Sequence, residues 1–398
     1  MRSTLRFRRA LLGHDLDPVT DAWIAVEDGL IVEIGTGSPT ASASGDRSEH
    51  HPAAFGLPGL VDCHVHLALS GGLDIQAEAL AQDPITAERL VRANAARHLD
   101  SGVTTVRDLG SPGNVVIELA AREGGRGGAG ILDTGSPRIV AAGAIGSATG
   151  HGSFLATAAE TFDEYLVALD DLAARGVGTA KLFASGGVIT SGTEPGAVQM
   201  APELLAAVVR AAHARGIRVA THAHGATSIR NAIAAGADTV EHFSYLGQDE
   251  LAALRARDVT LISTFVATER FVSSPDRARS NREATAKIID HAPHERRALE
   301  AAVRGGARLA VGTDAGTTLN PHGWGMQEQA VHLVEAGMDP ASALRALTIG
   351  GADALAVAGG VLAPGMPADV LCLGADPLAD IRALSAIDAV MLAGRWVR

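Results

Sequence analysis

Aromatic residues make up only 3% of this chain, and 2 of its 398 residues are cysteine. So few aromatics leave no extended platform for stacking nucleic-acid bases. Two isolated thiols, Cys63 and Cys372, form neither a disulfide framework nor a redox motif, so a reducing, cytoplasmic compartment is expected. Long runs of Lys and Arg are also missing. With 33 basic against 45 acidic residues, the formal net charge is -12. That balance argues against a nucleic-acid partner and against an electrostatically bound membrane surface. The basic start, Met1 to Arg9, is not followed by a long apolar segment, so neither a signal peptide nor a membrane span is expected.

What the chain does have is apolar mass, 47% hydrophobic residues, enough for a large core and a second, smaller domain beside a barrel. From about residue 58 to about 350, apolar runs alternate with Ala/Leu/Glu/Arg-rich segments of helical period. Candidate strands are 57–67, 103–108, 138–144, 179–185, 218–224, 239–244, 260–266 and 308–314, with helices such as 202–214, 226–235 and 325–336 between them. This pattern predicts an α/β fold, a closed (β/α)8 TIM barrel over 58–358. The ends differ. Short alternating strands at 3–12, 22–34, 369–374 and 387–397 predict a small β-sandwich domain composed of 1–57 and 359–398, with a tight hairpin at Asp28-Gly29. Segments 36–52 and 122–130, rich in small residues, are expected to be surface loops.

The chemistry concentrates at strand ends. His64 and His66, two residues apart at the end of an apolar run, share one face of a strand and offer two imidazole donors to a metal. Lys181, His222, His242 and Asp314 lie on later strands, most of them near the C-terminal end, the face on which barrel active sites sit. By the same alternation, Cys63 turns away from the site as a small buried filler, and Glu241 points outward to the helices. His14, His50, His51, His98, His213, His291, His294 and His332 lie away from strand ends and are expected at the surface or in the core.

The set His64, His66, Lys181, His222, His242 and Asp314 resembles that of the amidohydrolase superfamily, in its form with two metals bridged by a carboxylated lysine. The ends fit the resemblance too, in Ala25 to Gly35 and in Gly360 to Val370. Lys181-Leu182-Phe183-Ala184-Ser185-Gly186-Gly187, Thr221-His222-Ala223-His224-Gly225, Gly312-Thr313-Asp314-Ala315-Gly316 and His322-Gly323 are most similar to the Xaa-Pro dipeptidase (prolidase) and N-acyl amino acid hydrolase group. Two departures bear on substrate class: Phe243 where a glycine is usual, which could narrow the pocket, and Thr149-Gly150-His151-Gly152 where two glycines usually precede the histidine.

The resemblance implies two divalent metal ions, Zn²⁺ by preference, held by His64, His66 and Asp314 on one side and by His222 and His242 on the other. Lys181 would bridge them as its CO₂-derived carbamate, since an unmodified ammonium repels a cation. A metal-bridging hydroxide would attack a carbonyl, with Asp314 as base and then acid. His151 would donate to the carbonyl oxygen, Tyr245 would hold a substrate carboxylate, and His224 and His322 would contact substrate or orient a ligand. The implied reaction is hydrolysis of an amide bond in a small molecule, a dipeptide or N-acyl amino acid; the alternative is a cyclic amide or a lactone. Deamination fits less well, because Gly225 and Ala226 stand where that branch carries a glutamate. A silent scaffold is disfavoured because all six ligand positions are filled. The segment Thr268 to Asn281 is expected to line or cover the pocket, with Arg270, Arg277 and Arg279 available to a substrate carboxylate. Glu194 is not placed by the sequence. The resemblance also implies a homo-oligomer, although no sequence stripe specifies its interface.

Overall fold

Each apolar run that begins a βα unit becomes a short, largely buried parallel strand, and the eight together form the wall of a barrel. The computed structural model describes residues 2–39, 47–49, 54–123, 129–131 and 135–398. The barrel strands are β1 (Leu60–Val65), β2 (Val103–Asp108), β3 (Arg138–Ala141, resumed at Gly143–Gly146), β4 (Thr179–Phe183), β5 (Arg218–Ala223), β6 (Thr239–His242), β7 (Thr260–Ser263) and β8 (Leu309–Val311). All neighbours from β1 to β8 pair in parallel. The ring closes just beyond β8, where Val65 bridges to Ala315 and the Asp314 amide donates to the His64 carbonyl at 2.7 Å. β3 is split because its first half pairs with β2 and its second with β4.

Helices cover the barrel because their starts are specified locally. Asp83 accepts from the amides of Ile85 and Thr86 ahead of Pro84–Asp100, and Thr161 and Glu164 form a reciprocal cap on Phe162–Ala174. One core cluster runs through barrel wall and helices, including Leu60, Val106, Leu182, Val219, Val240 and Val311.

The predicted strand 57–67 is in fact two. Phe55–Pro58 pairs with Arg2–Leu12 and Val370–Leu373, and the barrel wall starts after Gly59. A Cβ on Gly59 would lie 2.1 Å from Thr104 Oγ1, so only glycine passes there. The chain ends combine in one eight-stranded sheet, in which Leu5, Ile24 and Ile31 pack on Val370, Cys372 and Met391. The predicted strand 22–34 is a hairpin of Asp17–Glu27 and Leu30–Thr36. It turns at Asp28 and Gly29, whose φ of +51° and +83° match a type I′ turn. Within the predicted loop 36–52, Arg47–Glu49 is a short strand beside Arg2–Leu12. Residues 40–46 and 50–53, with His50 and His51, lie outside the described residues, as do 124–128 of the predicted 122–130 connection. Among the described residues, no helix is long and apolar enough to cross a membrane.

Candidate metal centre and its cleft

At the C-terminal mouth of the barrel the strand ends bring His64, His66, Lys181, His222, His242 and Asp314 to one cleft. The Nε2 atoms of His64 and His66 both lie 3.4 Å from Asp314 Oδ1. The His242 ring stands between the two sides, 4.9 Å from His64 and 4.7 Å from His222, centre to centre. Two overlapping donor triads result, His64/His242/Asp314 and His222/His224/His242, each with all its ligand atoms within 4.8 Å of one another. His224 thus joins the cluster itself: its Nδ1 is bonded to Ser244 Oγ at 2.8 Å and its ring stacks on His242.

The electrostatics of this pocket suit a cation. Burial holds His64, His222, His224 and His242 well below the ordinary imidazole value, and His66 at about 4, so all five rings are neutral donors at neutral pH. Burial likewise holds the Lys181 amine below its usual value, against the pull of Glu241 and Asp314, and raises the Asp314 carboxyl. Lys181 Nζ and Asp314 Oδ1 are both buried without a hydrogen-bond partner, a costly condition in a folded core. The donor set therefore fits metal ions.

Beneath the cluster, Glu241 corrects the expectation from alternation. It is fully buried inside the barrel, accepts from His64 Nδ1 at 2.9 Å and pairs with Arg107 Nη2 at 2.8 Å. His242 leaves the strand at φ +73° and Phe243 follows at +43°, so the period of two ends there and His242 reaches the mouth although Glu241 already faces inward. Asp314 is left-handed too, at φ +51°. Asp62 accepts from the Thr313 amide and hydroxyl at 2.9 and 2.6 Å, locking β1 to the segment after β8. Gly312 permits that approach, since a Cβ would lie 2.3 Å from His64 Cβ. Cys63 faces away from the cluster, with Sγ 3.8 Å from the Gly351 carbonyl.

Above the cluster is a cleft, with about 830 Å³ of empty space including the solvent at its mouth, apolar over much of its wall through Phe154, Leu155, Val188, Ile189, Phe271 and Ile288. His151 lies in this wall, 4.4 Å from His222 between ring centres, with Nδ1 bonded to Thr190 Oγ1 at 2.9 Å. Gly187 makes room for it, since a Cβ there would stand 2.2 Å from the ring.

Other expected contacts lie elsewhere. Tyr245 does not line the cleft but packs half-buried against His291 and His294. His322 is engaged at both nitrogens, by His98 at 2.9 Å and the Leu69 carbonyl at 3.1 Å. Phe243 is buried outside the cleft, and Glu194 is exposed. Arg270 is taken by Glu328, Asn320 and the Pro321 carbonyl, Arg277 by the Val272 carbonyl and Arg279 by Asp276; none of the three lines the cleft. From the segment expected to line the pocket, Thr268 and Phe271 do reach the wall, and beside them stand His291 and Glu295, to which the sequence pattern assigns no chemistry. The visible signal was helical: Ala284, Ile288, His291, Glu295, Ala298 and Ala302 form one buried stripe of Arg282–Arg304, so two polar residues sit where the pattern calls for apolar ones.

A family profile described as the amidohydrolase family matches residues 55–397. The chain belongs to the amidohydrolase family. Ochratoxinase of Aspergillus niger is 27% identical over 421 residues, covering 97% of this amidohydrolase and 84% of the relative. An uncharacterized protein of Mycobacterium tuberculosis is 29% identical over 344 residues, covering 85% and 84%. The crystal structure of a Xaa-Pro dipeptidase with methionine in its active site matches with a TM-score of 0.87 at 25% identity, over 100% of this chain and 99% of that one. The ochratoxinase crystal structure matches at 0.86 with 24% identity, over 100% and 95%. Family and relatives support an amide-hydrolysing enzyme.

Proposed function

We propose that this amidohydrolase is a binuclear metalloenzyme that cleaves the amide C–N bond of a small acyl-amine conjugate, in the class of dipeptides and N-acyl amino acids. One observation carries the reading: the partnerless, buried Lys181 amine amid five neutral imidazoles and a carboxylate. Two metals, Zn²⁺ by the nature of the donors, would be held by His64, His66 and Asp314 on one side and by His222 and His242 on the other, with Lys181 as a carbamate between them. When bound, they polarise a carbonyl and lower the pKa of water. Burial favours the neutral Lys181 amine, the form that combines with CO₂.

The chain's own groups then divide the work. Asp314 Oδ1, without a hydrogen bond, is placed to take a proton from attacking water and to pass it to the leaving nitrogen. Glu241 accepts from His64 Nδ1, which directs Nε2 upward and raises its basicity. With Nδ1 of His151 engaged by Thr190, Nε2 is the nitrogen left to hold a carbonyl oxygen. Aliphatic and aromatic walls exclude water around the scissile bond.

The test is metal content together with a carbamate signal, on protein purified with Zn²⁺ and ¹³C-bicarbonate. Lys181 and Lys287 are the only lysines of the chain, which makes a ¹³C carbamate resonance simple to assign. Two metals per chain and a resonance that disappears in Lys181→Ala, with hydrolysis of amides, are the expected results. One metal and no resonance would sink the bridged centre.

A further inference from the structure

The cleft wall carries a polar group that the proposed hydrolysis does not use. Glu295 and His291 are 3% and 2% exposed, and both line the cleft. Thr268 Oγ1 donates to Glu295 Oε2 at 2.6 Å, and His291 Nε2 lies 4.0 Å from the same oxygen. Neither ring nitrogen of His291 has a hydrogen-bond partner. A buried carboxylate with no cation bonded to it, beside an imidazole with nothing bonded to it, is an incomplete site in a region where buried charges are normally paired. Charge decides what completes it. Among the described residues, Lys181 is the one ammonium lining the cleft, it belongs to the metal cluster, and no arginine lines the wall. The wall therefore offers an acceptor and no fixed cation.

We infer that Thr268, His291 and Glu295 form a subsite for a protonated amine, so that the cleft selects aminoacyl amides, free dipeptides among them, over N-acyl amino acids that present only a carboxylate. The inference rests on the amide-hydrolase reading and deepens it. A substrate ammonium would place its N–H groups against Glu295 and one nitrogen of His291, while its side chain packs on Phe271 and Ile288. Burial pushes the Glu295 carboxyl up to about 7, a condition a bound cation relieves.

Three p-nitroanilides that differ only in the α-substituent test this on the metal-loaded protein: leucyl (amine), 4-methylpentanoyl (hydrogen) and 2-isobutylsuccinyl linked through C1 (carboxymethyl, a carboxylate). The expected order of kcat/KM is amine over hydrogen by at least tenfold, with carboxylate lowest. In Glu295→Gln the amine-to-hydrogen ratio falls toward one, and Thr268→Val moves it the same way. A wild-type ratio at or below one, a preference for the carboxylate, or an equal loss on all three substrates in Glu295→Gln overturns the subsite, whether or not the enzyme hydrolyses amides. If no anilide is cleaved, the hydrolase reading fails separately, and calorimetry decides the subsite. Phenethylamine must then bind at least tenfold tighter than 3-phenylpropionate, with the difference lost in Glu295→Gln; equal binding, or none, overturns it.

Discussion

The floor of the cleft and its outer wall are built in different ways. Floor groups hang from strand ends, and the backbone ladder that makes the barrel also sets their separations: the Asp314 amide bonds the His64 carbonyl, and the His66 amide bonds the Ala315 carbonyl. Wall groups hang from two helices, Phe265–Ser273 and Arg282–Arg304, and from the segments that follow β3 and β4, tied to one another by side-chain bonds. A floor of this kind preserves one chemistry, and a wall of this kind can change substrate without disturbing it. Perturbing a group on each side at unchanged size tests the division.

The largest effect is expected from the floor. Glu241→Gln keeps the volume but removes the charge that balances Arg107 and orients His64. Breaking a buried pair in this way costs about 3–5 kcal/mol, and loss of a ligand's outer partner costs about 10–100-fold in metal affinity. Thermal unfolding and metal content should both fall. Retention of full metal content would show that the floor does not depend on this carboxylate.

A wall group should behave in the opposite sense. The Glu295 carboxyl has a folded value near 7, above the ordinary 4.5, so the folded state holds its proton more tightly than the unfolded state does. Stability therefore falls as pH rises from about 4.5 to about 7, and the deficit, on the order of 3 kcal/mol, persists above that. Glu295→Gln removes the titration. The variant should melt a few degrees higher than wild type at pH 8, and the two should converge near pH 5. A difference independent of pH would mean that the carboxyl is not the source.

Legibility in the sequence followed the same division. Strand alternation located His64 and His66, and strand ends located Lys181, His222, His242 and Asp314, because a parallel barrel repeats one geometry eight times. It misjudged Glu241, since the left-handed turn at His242 and Phe243 cannot be seen in a periodicity. It left His322 free to meet substrate, because the pairing of His98 with His322 joins helix Pro84–Asp100 to a loop over two hundred residues later. The expected arginine contacts failed because long flexible side chains take whatever carboxylates and carbonyls surround them, here Glu328, Asp276 and Val272.

The smallest effect separates positioning from support within the wall. Lys287 Nζ donates to the carbonyls of Thr193 at 2.6 Å and Thr190 at 3.2 Å, and pairs with Glu283, which in turn accepts from Ser191 Oγ and from the Gly192 amide. Thr190 is the residue that bonds His151. Lys287 thus latches the segment that steadies His151 to helix Arg282–Arg304, at a distance from any floor group. Lys287→Met leaves the apolar stem and removes the donors, at a cost of about 1 kcal/mol. Metal content should be unchanged while kcat/KM falls about tenfold and amide exchange over 187–193 rises. If exchange rises without loss of activity, the segment is only a cover; if activity falls while exchange stays constant, Lys287 acts on the cleft by a route other than ordering this segment.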